Sequence, residues 1–198
     1  MNLQNPKNPS SDKWSDHGDC SLTNLKKEVK MKKNEELILC KCGESIVVPP
    51  TKTFFYVKNH FKENSQNGLK ISFLGKNFKK DFLEKIEEPF MGSRISPYSF
   101  QFFTENLYNA MVINSIGGRK KAETTLTEMC SLLSKKPTVA EISLDYNNFF
   151  YVRNQSNVLC VIWAYWVKDG WYIESCNSKH ARIEPLDSSR MRVFFRNV

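Results

Sequence analysis

Hydrophobic positions change their period along the chain. Residues 37–42 and 45–48 are short apolar runs on either side of Gly43-Glu44. A glycine in the first turn position suits a type II′ hairpin, and Pro49-Pro50 stops the second run. Residues 53–57 are rich in β-formers. Leu69, Ile71 and Phe73 alternate with Lys70 and Ser72, the pattern of a half-buried strand.

The period then becomes helical. Phe78, Phe82 and Ile86 recur every fourth residue behind a capping Asn77, with Pro89 as the stop. A second helix is predicted from Ser96-Pro97 to Gly117-Gly118. Phe100, Phe103, Leu107 and Met111 make one face and Phe102, Tyr108, Val112 and Ile116 load the others, so it is expected to be central and packed on several sides. A third is predicted over 119–136, with Ala122, Leu126, Met129 and Leu133 as its stripe.

After Pro137 the period is two. Ala140, Ile142 and Leu144 alternate with polar residues, and 149–153 is a further strand. Residues 158–168 are apolar on both faces, which marks a central strand. Asp169-Gly170 signals a hairpin into a return strand over 171–175, and 191–196 is the last strand. The predicted fold class is α+β: an antiparallel sheet, made of a C-terminal meander plus an N-terminal hairpin, packed with about three helices. Residues 1–34 lack the apolar material of a core and are expected to form a flexible basic N-terminal arm. Residues 35–198 are expected to form a single α+β domain.

Charge adds a class of partner. The net charge is +8, and the arm holds +3 of it, from seven lysines against four acids. Such a balance suits nucleic acid, an anionic membrane or an acidic protein. Residues 1–11 show no apolar stretch behind a basic start, and 158–167 is about half the length of a membrane span. The expected compartment is therefore the cytoplasm, without a membrane span. The six cysteines are then expected as free thiols rather than disulfides.

Motifs for catalysis are sparse. Cys40-x-Cys42 is half of a zinc knuckle without its second pair; Cys20 and His60 are the nearby candidates, at spacings that fit no common pattern. Two residues apart on a strand, both sulfurs would equally face a core. Cys176, His180 and Asp187 supply the residue types of a thiol triad without a local signature. No phosphate-loop pattern is present. No catalytic residue, metal or cofactor is assigned from the sequence.

Two surfaces remain. Trp163, Tyr165, Trp166, Trp171 and Tyr172 crowd one hairpin, and rings of this kind anchor protein interfaces. They point to a non-catalytic protein–protein interaction module, an adaptor or subunit of a larger assembly. The alternative is a nucleic-acid-binding protein using the basic arm, the cluster Arg119, Lys120 and Lys121, and an Arg-rich strand. On that strand Arg190, Arg192, Phe194 and Arg196 share one face, while Met191, Val193 and Phe195 belong to the core. The Arg119 cluster lies where a helix dipole is already positive, so a bound anion would relieve it; a helix beginning near Glu123 would instead leave it in a loop.

Overall fold

The computed structural model describes residues 37–65, 68–102, 107–135, 147–177, 182–183 and 191–197. The expected arm and the strand expected over 140–144 lie outside them.

The C-terminal strands follow the alternation. β9 (Asn147–Arg153), β10 (Leu159–Val167) and β11 (Gly170–Asn177) form an antiparallel meander, and β13 (Met191–Arg196) is the last strand. Asp169-Gly170 does mark the hairpin, but the left-handed residue of its turn is Lys168, at φ 53°. Gly170 serves another purpose. A Cβ there would lie 2.7 Å from the backbone nitrogen of Ser72, so the glycine admits the neighbouring strand β4 (Ile71–Leu74).

The sheet itself corrects the antiparallel expectation. Among the described residues it is mixed and has nine strands, ordered β1 (Leu37–Lys41), β6 (Ser93–Phe102), β13, β9, β10, β11, β4, with β2 (Ile46–Val48) added on β6 and β8 (Glu123–Thr124) on β9. β4 runs parallel to β11, and β13 runs parallel to β9. Alternation identifies a strand and its buried face; the long connections decide its neighbour and direction.

The first third of the predicted central helix is a strand instead. β6 (Ser93–Phe102) pairs antiparallel with β13, and among the described residues before Gly117-Gly118 the helix is confined to α3 (Asn109–Ser115). Tyr98, Phe100 and Phe102 alternate with Ser99 and Gln101, a strand's period that the helix start signal at Ser96-Pro97 masks. Pro97 is tolerated where it stands. Its missing N–H falls at the break between β1 (Leu37–Lys41) and β2 (Ile46–Val48), and its carbonyl accepts the Cys42 N–H at 3.1 Å. The expected N-terminal hairpin is not formed either: β1 and β2 lie end to end, both antiparallel to β6.

The other two helices are shorter than their stripes implied. α2 spans Lys76–Phe82 and buries Phe78 and Phe82, but Ile86 belongs to β5 (Ile86–Glu87), which pairs with β3 (Phe55–Tyr56). α1 is the single turn Val57–His60 after β3. The third helix splits into α4 (Arg119–Ala122), β8 (Glu123–Thr124) and α5 (Leu126–Ser134). Thr125 and Glu128 form a reciprocal capping box that starts α5 afresh, and this frees β8 to run parallel to β9. A small pair, β7 (Leu107–Tyr108) with β12 (Arg182–Ile183), completes the described elements.

Both sheet faces are covered. On the first, Phe61, Phe78, Phe82, Leu126, Met129 and Leu132 pack on Phe150, Ile162, Trp171 and Phe194. On the second, Val112, Ile113 and Ala122 pack on Tyr151, Val161, Met191 and Val193. A polar bond from a sheet aromatic reaches each helical layer. The Trp171 indole N–H donates to the Leu133 carbonyl at 3.2 Å, and the Tyr151 hydroxyl donates to Asn109 Oδ1 at 2.8 Å. Burial pushes the Tyr151 phenol well above its ordinary range, so it stays a donor.

Tyr151→Phe removes that donor and leaves Asn109 with a buried acceptor short of a bond. Urea unfolding should show a loss of about 1–3 kcal/mol at unchanged slope. A loss below about 0.5 kcal/mol would mean that apolar packing alone holds α3.

Candidate functional site

The aromatic hairpin does not present one surface. Strand alternation sends Trp166 and Trp171 to the first sheet face and Trp163, Tyr165 and Tyr172 to the second. Trp171 is 1% exposed, edge-on to Trp166 at 5.3 Å, and belongs to the core. Trp163 packs against the second core. Tyr165 and Tyr172 are half-buried and stack at 4.7 Å, and burial raises the Tyr165 phenol. Phe73 of β4, which the sequence pattern assigned to the buried side, joins them by stacking on Tyr172 at 4.7 Å. The ladder slips between Trp171 and Tyr172, and this irregularity turns Phe73 outward beside Tyr172. The alternation of the sequence holds no sign of it.

The Arg-rich strand is not a basic outer stripe. β13 lies inside the sheet order, covered on both faces, so Arg192 is 8% exposed and Phe194 is fully buried, stacked on Phe150. Arg196 is spent on an internal ion pair. Arg190 lies outside the described residues. Arg119, Lys120 and Lys121 are exposed on α4, a helix that does begin at Arg119 but ends after one turn. Lys121 and Arg196 line one small cavity of about 200 Å³ with Tyr98 and Phe195.

A cleft of about 740 Å³ lies elsewhere, between the 85–94 segment, the start of α5 and the end of β13. Its floor is built on two carboxylates at the N-terminus of α5. Glu87 accepts the N–H groups of Leu126 and Thr127 at 3.0 and 2.8 Å and the Thr127 hydroxyl at 2.7 Å. Glu128, fully buried, accepts the Thr125 N–H at 2.6 Å, the Ser93 hydroxyl, and both Nε and Nη2 of Arg196 at 2.8 and 2.9 Å. Lys85 stands 3.4 Å from Glu87. Negative charge at a helix N-terminus is favourable, and forked Arg–carboxylate bonds are the strong kind. The Glu128 hydrogen bonds also hold the Arg196 guanidinium even further above its usual range, against the opposing effect of burial. The rim has an apolar part, with Ile86 53% exposed, Met91 91% exposed and Phe90 under the Arg196 guanidinium at 5.9 Å, and it also carries the exposed Glu88. Arg94 is exposed there and makes no ion pair with the described residues.

Cys40 and Cys42 are half-exposed near the end of β1. Among the described residues no three or more side chains of His, Cys, Asp or Glu come together as metal ligands do. His60 instead stacks on Phe55 at 4.2 Å, and burial, with the nearby Lys62 charge, lowers its pKa. Of the suggested triad, His180 and Asp187 lie outside the described residues. Burial pushes the Cys176 thiol up to about 11, aided by Cys160 and Glu174; Cys130 and Cys160 are raised alike, mainly by burial. A catalytic thiol needs the opposite shift. No helix among the described residues is long and apolar enough to cross a membrane.

At neutral pH Cys176 should alkylate with iodoacetamide on the order of a hundredfold more slowly than free cysteine, with the rate still climbing above pH 9. Peptide mass spectrometry follows it site by site. Modification as fast as free cysteine, levelling off near pH 7, would mean an activated thiolate.

Compared with protein-family models, curated proteins and solved structures, the chain matches none of them.

Proposed function

We propose that this chain is a non-catalytic protein–protein interaction module, an adaptor or assembly subunit, that docks a partner in the cleft beside α5. The observation that carries the proposal is the contrast between the cleft's rim and its floor. The rim leaves Ile86 and Met91 largely in water, while the floor's charges answer one another, Lys85 with Glu87 and Arg196 with Glu128. A partly apolar rim over an electrically closed floor suits burial against another surface better than it suits acid–base chemistry. The occupant is a protein segment with a bulky apolar side chain for the space between Ile86, Phe90 and Met91, followed by a carboxylate for Arg94. This moves the docking surface away from the aromatic hairpin, because Trp171 and most of Trp163 are already buried within the chain. The proposed compartment is the cytoplasm, in keeping with free thiols at Cys40, Cys42, Cys130, Cys160 and Cys176.

Affinity capture from lysate of the native source, compared with the Ile86→Glu/Met91→Glu variant, checks the proposal. Both positions are exposed, so circular dichroism of the variant should match the parent. The same protein partner should be retained by the parent and reduced at least about tenfold by the variant, the scale of a lost interface anchor. Equal retention by both would remove the cleft as the docking site, and a parent that stays monomeric and retains nothing would remove the function.

A further inference from the structure

The second candidate surface lies at the far end of the sheet and has different chemistry. β4 is the last strand in the order, and its outer edge is closed to further strands. Glu63 accepts the Leu74 N–H at 2.7 Å, and the Asn64 N–H donates to the Ile71 carbonyl at 2.9 Å. What β4 still offers is a ring. Phe73 is 41% exposed and stacks inward on Tyr172, which stacks on Tyr165, each step 4.7 Å with planes 22° apart. Over the Phe73 ring stands Lys79 Nζ, 5.9 Å from the centroid and 3.0 Å from Glu63.

Cations bracket this stack along the strand. Lys70 precedes β4, and its carbonyl accepts the Trp171 N–H at 2.9 Å. The Ser72 hydroxyl reaches the Val167 carbonyl at 3.4 Å, which sets the turn carrying Lys168 beside the start of β4. Lys76 opens α2 two residues beyond its end. Lys70, Lys76 and Lys168 are exposed and make no ion pair with the described residues. Of the nearby acids, Glu63 is taken up by Lys79 and the Leu74 N–H, Asp169 stands exposed next to Lys168 and lines the cavity there, and Glu174 accepts the Phe78 N–H of α2 at 3.3 Å and the Ser175 N–H of its own strand at 2.8 Å. A shallow cavity of about 410 Å³ continues the surface past Lys70, Ser72 and Asn64.

We propose that Phe73, backed by Tyr172 and Tyr165, is a stacking platform for a base of single-stranded nucleic acid, with the phosphates on Lys70, Lys168, Lys76 and Lys79. The inference goes beyond the cleft and does not depend on it. A ring held flat by two others accepts any base on its face, and flexible lysines on both sides follow a phosphate chain without reading sequence. Lys79 occupies the base's place in the free protein; a partly exposed ion pair with Glu63 and the contact with the Phe73 ring hold it, each weak at a surface, and a phosphate and the stacked base take their places. A duplex keeps its bases stacked on one another and cannot use the platform.

Fluorescence anisotropy with a short labelled single-stranded oligonucleotide tests this on the full chain. The parent should bind at low salt, with affinity falling as salt rises. Phe73→Ala should weaken binding on the order of 5- to 100-fold, the range of one base–aromatic stack, while Phe73→Trp keeps it. Lys76→Ala should flatten the logarithmic salt dependence by about 0.7. The near-native far-UV spectrum expected for both alanine variants separates lost contacts from lost fold. If AMP displaces the strand where ribose 5-phosphate does not, stacking is supported, and the tighter of AMP and oligonucleotide identifies the source. Equal binding by an abasic strand, by a duplex or by Phe73→Ala would overturn the platform, as would no binding at all.

Discussion

The buried carboxylate of Glu128 is the constraint on which the arrangement around α5 depends. A carboxylate with no solvent is costly unless donors surround it. Here they come from three separate parts of the chain: the Thr125 N–H and hydroxyl, the Ser93 hydroxyl at the start of β6, and the Arg196 fork at the end of β13. One side chain thus begins a helix and fastens two neighbouring strands of the sheet to it. Glu87 repeats the device beside it and ties β5 to the same helix end. Glu174 repeats it at α2, close enough to Gly75 that a Cβ there would collide with the carboxylate.

This use of charge explains why the overall excess of +8 does not become a basic strand on the outside. Arg196 satisfies Glu128, and Arg192 is enclosed in the sheet. Exposed cations lie elsewhere, among them those on α4, those around β4 and Arg94 at the cleft. The same economy shapes the proposed docking cleft. Its floor is a structural network, and the atoms left open to a partner are mostly those of Ile86, Phe90, Met91 and Arg94.

β9, β10, β11 and β13 were legible as short apolar or alternating runs bounded by turn signals, among them 154–157 and Asp169-Gly170, even though β9, β10 and β13 are buried on both faces. Direction and order were not legible. Nothing within 191–196 tells that β13 slots between β6 and β9, and that placement is what turns an apparent basic stripe into a buried one. β6 was hidden by competing signals: Tyr98, Phe100 and Phe102 alternate with Ser99 and Gln101 as in a strand, but Ser96-Pro97 reads as a helix start and Phe103, Leu107 and Met111 continue at four-residue spacing. The break at α5 was different. Thr125-x-x-Glu128 is an explicit start signal, overshadowed by a longer apolar stripe that runs across it. The Phe73 platform had no local sign, since a register slip in the ladder between β4 and its neighbour β11 decides which way the ring points.

Native-state hydrogen exchange at Thr125, Leu126, Thr127 and Glu128 tests the role of the carboxylate network most directly. All four amides donate to the network, those of Thr125, Leu126 and Thr127 to Glu128 or Glu87 and that of Glu128 to the Thr125 hydroxyl. First-turn amides of a helix ordinarily exchange by fraying. Here they should open only with the β13 amides, at the free energy of global unfolding. Exchange of the four at the low cost of a frayed end, while β13 stays protected, would contradict the account.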